Sequence, residues 1–541
     1  MEEVVVNPAE HAQPGLYLPT ASGTWSRRSF LRAAGGGAAA LAVGGALAAC
    51  GGGGTNSGAG GGGGQPKTGG TLTLGYLGGG SADTLDGQNP ANTADWARAY
   101  ALYDGLMRLD NNGQLVMSLA QSVEPDATGL EWTIKIHPNI KTHKGKPYTA
   151  DDVLYSLRRI IDNKYFSAAP LGPIDFAATK VADPTTLIVK YSRPYSVLRE
   201  ALALNYTIMV PRDFDPKDPD GTGPFKYQSF TPGTGSTFTR NAEYWDGPGP
   251  YVDTFIVTNI GDEGSAVNAL QSDQVDVVNQ LSNNSATVLK NSGQQVYSKP
   301  SGSLGMFTTN WLLAPFNDVR VRQAVRLTID RNAMVQQVFG GQGQIGNDIV
   351  GKLDPLYDSS IPQRERDLDQ AKALLKEAGA ENLVINMPVA PFGPGMVPAA
   401  EVLATQLKDV GIQLNVQQQS VTEYYDKSLG KTQLGQDFWP TTPYLIVAGM
   451  AMDGDRGTFN QSHQNDPEYN ALYAEAVSTL DPGKQKDIAH QMQRIEYDRG
   501  GNIVPYYYPT IDASSPRVHG IEPTANGLGP NGLFWANIWV D

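Results

Sequence analysis

The stretch Trp132–Ile161, WTIKIHPNIKTHKGKPYTADDVLYSLRRII, constrains the fold of this chain more than any other. It opens as a strand, with Trp132, Ile134 and Ile136 alternating with Thr133, Lys135 and His137. Pro138 and Asn139 break that strand, and Lys144-Gly145-Lys146-Pro147 supplies the next turn. Thr149 then stands at a helix N-cap, with Asp151 and Asp152 in the electropositive first turn. Val153, Leu154, Leu157, Ile160 and Ile161 make one apolar stripe at helical spacing. Strand, turn and capped helix follow from these residues alone.

At 541 residues the chain is too long for one ordinary core, which implies two or three lobes. A net charge of −14 argues against nucleic acid, whose phosphates call for a basic surface. The single cysteine, Cys50, excludes an intrachain disulfide framework and any cysteine-rich metal site.

Residues 1–49 read as an address. Ser26-Arg27-Arg28-Ser29-Phe30-Leu31 matches the twin-arginine export pattern, and Ala33–Ala46 is a Gly/Ala-rich apolar run too short to span a membrane. Leu47-Ala48-Ala49-Cys50 resembles a bacterial lipobox, which implies lipidation at Cys50 and anchoring on the extracytoplasmic face of the cell membrane. The leader holds as many acidic as basic residues, so its removal leaves the charge unchanged. Residues 50–66 read as a flexible Gly-rich tether.

The body alternates strands and helices. Thr71–Tyr76 is the first strand, followed by the Gly78-Gly79-Gly80-Ser81 loop, and Trp96–Leu106 reads as a helix. Gly221-Thr222-Gly223-Pro224-Phe225 and Arg240-Asn241-Ala242-Glu243-Tyr244-Trp245 bracket two strands and their turns. Leu304–Asn310 is a strand expected to cross between lobes. Asn317 or Asp318 caps one helix, and Asp330 caps another that stops at Gly340-Gly341. Strand Leu383–Val389, helix Pro398–Val410 and strand Ile412–Gln418 form a βαβ unit, and strand Asn502–Tyr508 carries the chain back.

Three of these blocks carry a resemblance: KTHKGKPYTADDV, then GTGPF with RNAEYW, then PFNDVRVRQA. Their wording and order resemble the family 5 extracellular solute-binding proteins, the oligopeptide-, dipeptide- and nickel-binding receptors of ABC importers. That resemblance spans roughly Gly69 to Asp541. It implies an α/β, periplasmic-binding-protein-like fold of two large lobes joined by a hinge, with an extra lobe inserted in the first. By resemblance, lobe I is 67–105, 222–303 and 506–541, lobe II is 106–221, and lobe III is 304–505. The implied function is a monomeric, lipid-anchored receptor that closes on a peptide and delivers it to importer permease subunits, with no catalysis and no cofactor. An oligosaccharide ligand stays open as an alternative. So does a secreted hydrolase, which would need a base-activated nucleophile or a paired acid and base, and so does an adhesin or sensor that kept the fold.

Catalytic and metal motifs are otherwise missing. Gly341–Gly346 fits GxGxxG but follows a helix instead of a strand. His137 and His143 are better placed as scaffold than as metal ligands. The family places the loop after its first strand at the ligand cleft, which nominates Gly79 and Ser81. Its peptide receptors carry a W-x-x-D stretch in the second large lobe, whose aspartate pairs with the peptide's ammonium. The segment here is Gln436-Asp437-Phe438-Trp439-Pro440-Thr441-Thr442-Pro443-Tyr444, so Thr442 stands where that aspartate would be. Threonine cannot neutralise a buried ammonium. Either the ligand lacks a free amino terminus, or Asp437 or Asp453 substitutes; the expectation is that free di- and tripeptides bind poorly, unlike blocked peptides or uncharged oligomers. Trp311, Asp437, Trp439, Thr441, Thr442 and Tyr444 complete the candidate site, with Trp439 and Tyr444 as aromatic walls.

Overall fold

The computed structural model describes residues 65–454 and 457–541. The leader, Cys50 and all but the last two residues of the tether lie outside the described residues.

The strand of the opening stretch is Glu131–Ile136, held between Ala120–Pro125 and Thr186–Lys190 in a four-stranded antiparallel sheet. The helix is Ala150–Asp162, and the Asp152 carboxylate reaches back to accept the Thr149 backbone N–H at 2.8 Å. Val153, Leu157 and Ile160 are fully buried against Trp132, Ile134 and Leu187. Each such side chain is worth about 1.5–3 kcal/mol over an exposed one. This sheet and helix form the core of one region.

A second region surrounds the first strand, Thr71–Leu77, which lies parallel to both Thr254–Ile260 and Val277–Val278. The two ends of the described chain meet here. Lys67 pairs with Asp541 at 2.5 Å, and Leu72 and Leu74 share a core with Ile538 and Val540. The helix expected over Trp96–Leu106 is shorter, Thr93–Leu102. Gly223 N–H donates to the Leu102 carbonyl at 2.9 Å, so a distant segment caps the helix there and the chain turns away extended at Tyr103.

The third region contains the βαβ unit, with Val384–Val389 parallel to Gln413–Gln418 and the helix Met396–Leu407 between them. The helix begins two residues before Pro398 because Gly395, at φ +73°, makes the left-handed turn that launches it. Asp318 and Asp330 cap the helices Val319–Thr328 and Arg331–Phe339, and Gly340 ends the latter in the left-handed conformation.

Two long antiparallel strands, Gln295–Thr309 and Asn502–Ser514, run between the second and third regions. At one end they join Val277–Val278, and at the other Leu304–Thr309 pairs with Leu434–Trp439, so one nine-stranded sheet is continuous through both. The crossing therefore starts at Gln295, before the expected Leu304. Its pairing breaks register between Pro300 and Leu304, opposite Pro509, where a proline on each strand withholds an N–H. No helix among the described residues is long and apolar enough to cross a membrane.

Candidate functional site

The strand Leu434–Trp439 sorts its side chains by alternation. Gln436 and Phe438 turn one way: the Gln436 amide donates to Met396 O at 2.7 Å, and Phe438 packs on Phe392. Asp437 and Trp439 turn the other way, toward the region of the opening stretch. There Trp439 meets Phe166 and Phe459, each with centroids 6.3 Å away. Phe166 lies 4.9 Å from Phe459 and stacks on Tyr206 at 4.3 Å, and Trp96 meets Tyr206 edge-on at 5.6 Å. Tyr425 faces both Asp437 and Tyr206, and they add to the burial that raises its hydroxyl pKa. Aromatic rings from all three regions thus converge on one packed cluster, here called the aromatic chamber.

Its polar groups are short of partners. Asp437 is 9 % exposed, and its carboxylate accepts one hydrogen bond, from the Phe438 N–H at 2.9 Å. No lysine, arginine or histidine among the described residues pairs with it. Burial pushes its pKa to about 7, partly offset by that N–H and by the nearby Gln461 and Trp439. Neither of these two side chains reaches Asp437 with hydrogen-bond geometry; the indole N–H of Trp439 and the Gln461 side-chain oxygen are buried without a partner, as is the indole N–H of Trp96, which faces Tyr206. Buried polar atoms are normally satisfied, so the unpartnered Trp439 and Gln461 atoms beside this carboxylate make it the candidate site.

The other sequence candidates lie elsewhere. Thr441 sits at the crossing, accepting from Gly302 N–H at 2.9 Å and donating to the Ala525 carbonyl. The Thr442 hydroxyl turns back to the Pro440 carbonyl at 3.0 Å. Tyr444 is fully buried, and its hydroxyl donates to Glu496 at 2.6 Å. Trp311 packs under the Arg322 guanidinium, 4.2 Å from the ring centroid. Gly79 and Ser81 are exposed in a loop whose neighbours, Asn259 and Gly233, belong to the same region. Asp453 lines a cavity of about 300 Å³ beside the chamber, with Tyr195, Met450 and Tyr473. A larger recess of about 530 Å³ opens beside Asn332 and Gly341, apart from these rings. We place the site by the unpartnered polar groups and not by hollow volume. Sequence reasoning missed Trp96, Phe166, Tyr206, Tyr425, Phe459 and Gln461.

The signature blocks meet at a different buried carboxylate. Asp104 accepts from the Thr222 hydroxyl at 2.8 Å, and from the Tyr244 hydroxyl and Trp245 indole N–H at 2.9 Å each. His143 bonds the Gly223 carbonyl at 2.9 Å, and burial lowers its pKa to about 4. A Cβ at Gly221 or Gly223 would collide with the backbone at Leu102. These residues join two regions and act as scaffold. The described residues hold no group of three or more His, Cys, Asp or Glu able to share a metal ion.

Three regions around a pair of crossing strands, with an aromatic chamber between them, define a hinged α/β ligand-binding protein. The sequence profile of bacterial extracellular solute-binding proteins, family 5, matches residues 114–450, and the chain belongs to that family. It is 28% identical over 333 residues to the oligopeptide-binding protein AppA of Bacillus subtilis, covering 58% of this chain and 60% of AppA. It is 23% identical over 446 residues to heme-binding protein A of Haemophilus influenzae, covering 74% and 81% respectively. In fold it is similar to the binding protein AgaA of A. tumefaciens R10, solved with agropinic acid, at a TM-score of 0.76 and 23% identity over 87% of this chain and 99% of that one.

Proposed function

We propose that this protein is a lipid-anchored extracytoplasmic receptor that closes on a peptide or peptide-like cation and delivers it to an ABC importer. The observation that carries the ligand class is Asp437: a buried carboxylate with no paired cation among the described residues, ringed by aromatic side chains. A ligand ammonium would neutralise it, and the orphaned Trp96 and Trp439 N–H groups would take ligand carbonyls. Asp437 then does the work for which the family uses the aspartate that Thr442 replaces, and free-amino peptides bind. A neutral oligosaccharide would use the rings but leave Asp437 uncompensated. As family members the relatives are binding proteins, and binding by enclosure needs no chemical step.

We assign lobe I to 67–105, 222–303 and 506–541, lobe II to 106–221 and lobe III to 304–505, with hinge motion about Pro300–Ser303 and Pro509. In support, the register break falls there, and Phe166 of lobe II packs against Trp439 and Phe459 of lobe III. Native mass spectrometry of protein purified from its source tests the reading. A retained amine-bearing ligand, released unchanged, supports it, whereas an uncharged sugar or a turnover product contradicts it. The anchor has its own test: Cys50→Ser should release the protein from the membrane fraction, and Arg27→Lys with Arg28→Lys should block export.

A further inference from the structure

A row of buried polar side chains crosses the lobe I sheet and belongs neither to the aromatic chamber nor to the Asp104 junction. Val278 pairs with Gly75 on one side and Ala513 on the other, so Asn279 comes level with Tyr76 and Asp512. The Gln280 N–H donates to the Asp512 carboxylate at 3.2 Å and Leu281 N–H to Ile511 O at 2.9 Å, which keeps the strands side by side past the last paired residue. Side chains level with one another on neighbouring strands share a face, and Thr510, two residues before Asp512, shares it too.

Partners are lacking along this row. Asn279 is 0 % exposed, and both its amide atoms are unpartnered. The hydroxyls of Tyr76, 1 % exposed, and of Thr510 are unpartnered as well. Asp512 is 3 % exposed, its one hydrogen bond comes from Gln280, and no cation among the described residues pairs with it. The titratable groups on this face are Tyr76, whose ionisation the carboxylate opposes, and, on the neighbouring crossing strand, Tyr297 level with Asp512 and Lys299 level with Thr510; the Tyr297 hydroxyl is held by Gln295 and Ser514, and the Lys299 ammonium turns away to Asn111 O and Asn112. The tail closes over the row: a Cβ on Gly529 would lie 2.9 Å from the Tyr76 hydroxyl, and one on Gly527 would strike the unpartnered Ser303 hydroxyl.

We propose that this row is a binding site for a monovalent metal cation, held by the Asp512 carboxylate, the Asn279 side-chain oxygen and the hydroxyls of Tyr76 and Thr510. Every donor is a hard, uncharged or singly charged oxygen, the set that suits alkali and alkaline-earth ions and not soft metals. A single carboxylate balances one positive charge, and a divalent ion would leave surplus charge buried. Asp512 lies on the second crossing strand, so occupancy would brace the lobe I side of the hinge.

Thermal unfolding of the full chain in sodium, potassium and N-methyl-D-glucamine chloride at equal ionic strength tests this. The unfolding midpoint should rise saturably in sodium or potassium chloride, and Asp512→Asn should abolish the rise. Thr510→Val, a milder change, should raise the cation concentration needed about tenfold, as expected for the loss of one ligating oxygen worth roughly 1.4 kcal/mol. Crystals soaked in a thallium(I) salt should show an anomalous peak between Asp512 and Asn279. Superimposable unfolding in all three salts, a cation effect retained in Asp512→Asn, or only a water molecule in the row would overturn the proposal.

Discussion

Asp104 and Asp437 are both buried aspartates that no cation among the described residues pairs with, and they differ in what surrounds them. Asp104 receives three side-chain hydrogen bonds from Thr222, Tyr244 and Trp245, all from the signature blocks. Asp437 receives one backbone N–H, while the polar atoms around it stay unpartnered. Burial raises both pKa values, but the chain itself compensates only Asp104. A carboxylate satisfied by its own chain ties distant segments of that chain together, and one left wanting is, on the proposal above, the one that receives a ligand.

The largest effect that sharpens this contrast is on stability. Asp104→Ala strands three buried donors and should destabilise the protein by about 4 kcal/mol in denaturant unfolding. Asp437→Asn should not destabilise the empty protein; equal losses at the two positions would erase the distinction. Next comes the wall of the chamber. Trp439→Ala should weaken ligand binding by about 2 kcal/mol or more, read by calorimetry, as for a buried aromatic anchor. Binding untouched by that change would make Trp439 mere core.

A smaller effect depends on pH. Because burial raises the Asp437 pKa from 3.8 to about 7, its contribution favours the fold below the unfolded value and is lost as pH rises through about 7. Asp437→Asn, whose amide oxygen still accepts the Phe438 N–H, should therefore stabilise the empty protein by about 1–2 kcal/mol at pH 8, a fraction of the full shift at about 1.4 kcal/mol per pK unit, and by nothing near pH 3. A stabilisation that grows on acidification would contradict the sign. Smallest is the crossing: Thr441→Val loses the bonds to Gly302 and Ala525 and should cost about 1 kcal/mol in stability.

What the sequence disclosed and what it hid divide along the same line. The strand at Glu131–Ile136, the helix at Ala150–Asp162 and the caps at Asp318 and Asp330 were legible because periodicity and turn chemistry are local. The helix end at Leu102 was not, because Gly223 caps it from more than a hundred residues away. In the candidate site, aligning the family's tryptophan nominates Trp439, and Asp437 only as a neighbour that could substitute for the aspartate Thr442 replaces; the alternation of their strand turns both side chains the same way. Phe166, Tyr206 and Phe459 carry no local signal, since each sits in a connecting segment and gains meaning only when three regions converge. Tyr444 shows the converse: an aromatic beside the right motif that packs into the core through Glu496.

The central claim is that Asp437 awaits a ligand ammonium. The most direct measurement is calorimetric titration of a mixed tetrapeptide pool, with free and with N-acetylated amino termini, into the unmodified protein and into Asp437→Asn at pH 8. The account predicts that the free-amino pool binds the unmodified protein at least tenfold more tightly than the acetylated pool, and that Asp437→Asn removes that preference. Acetylated peptides bound as tightly as free ones, or a preference for free amines that survives Asp437→Asn, would contradict it.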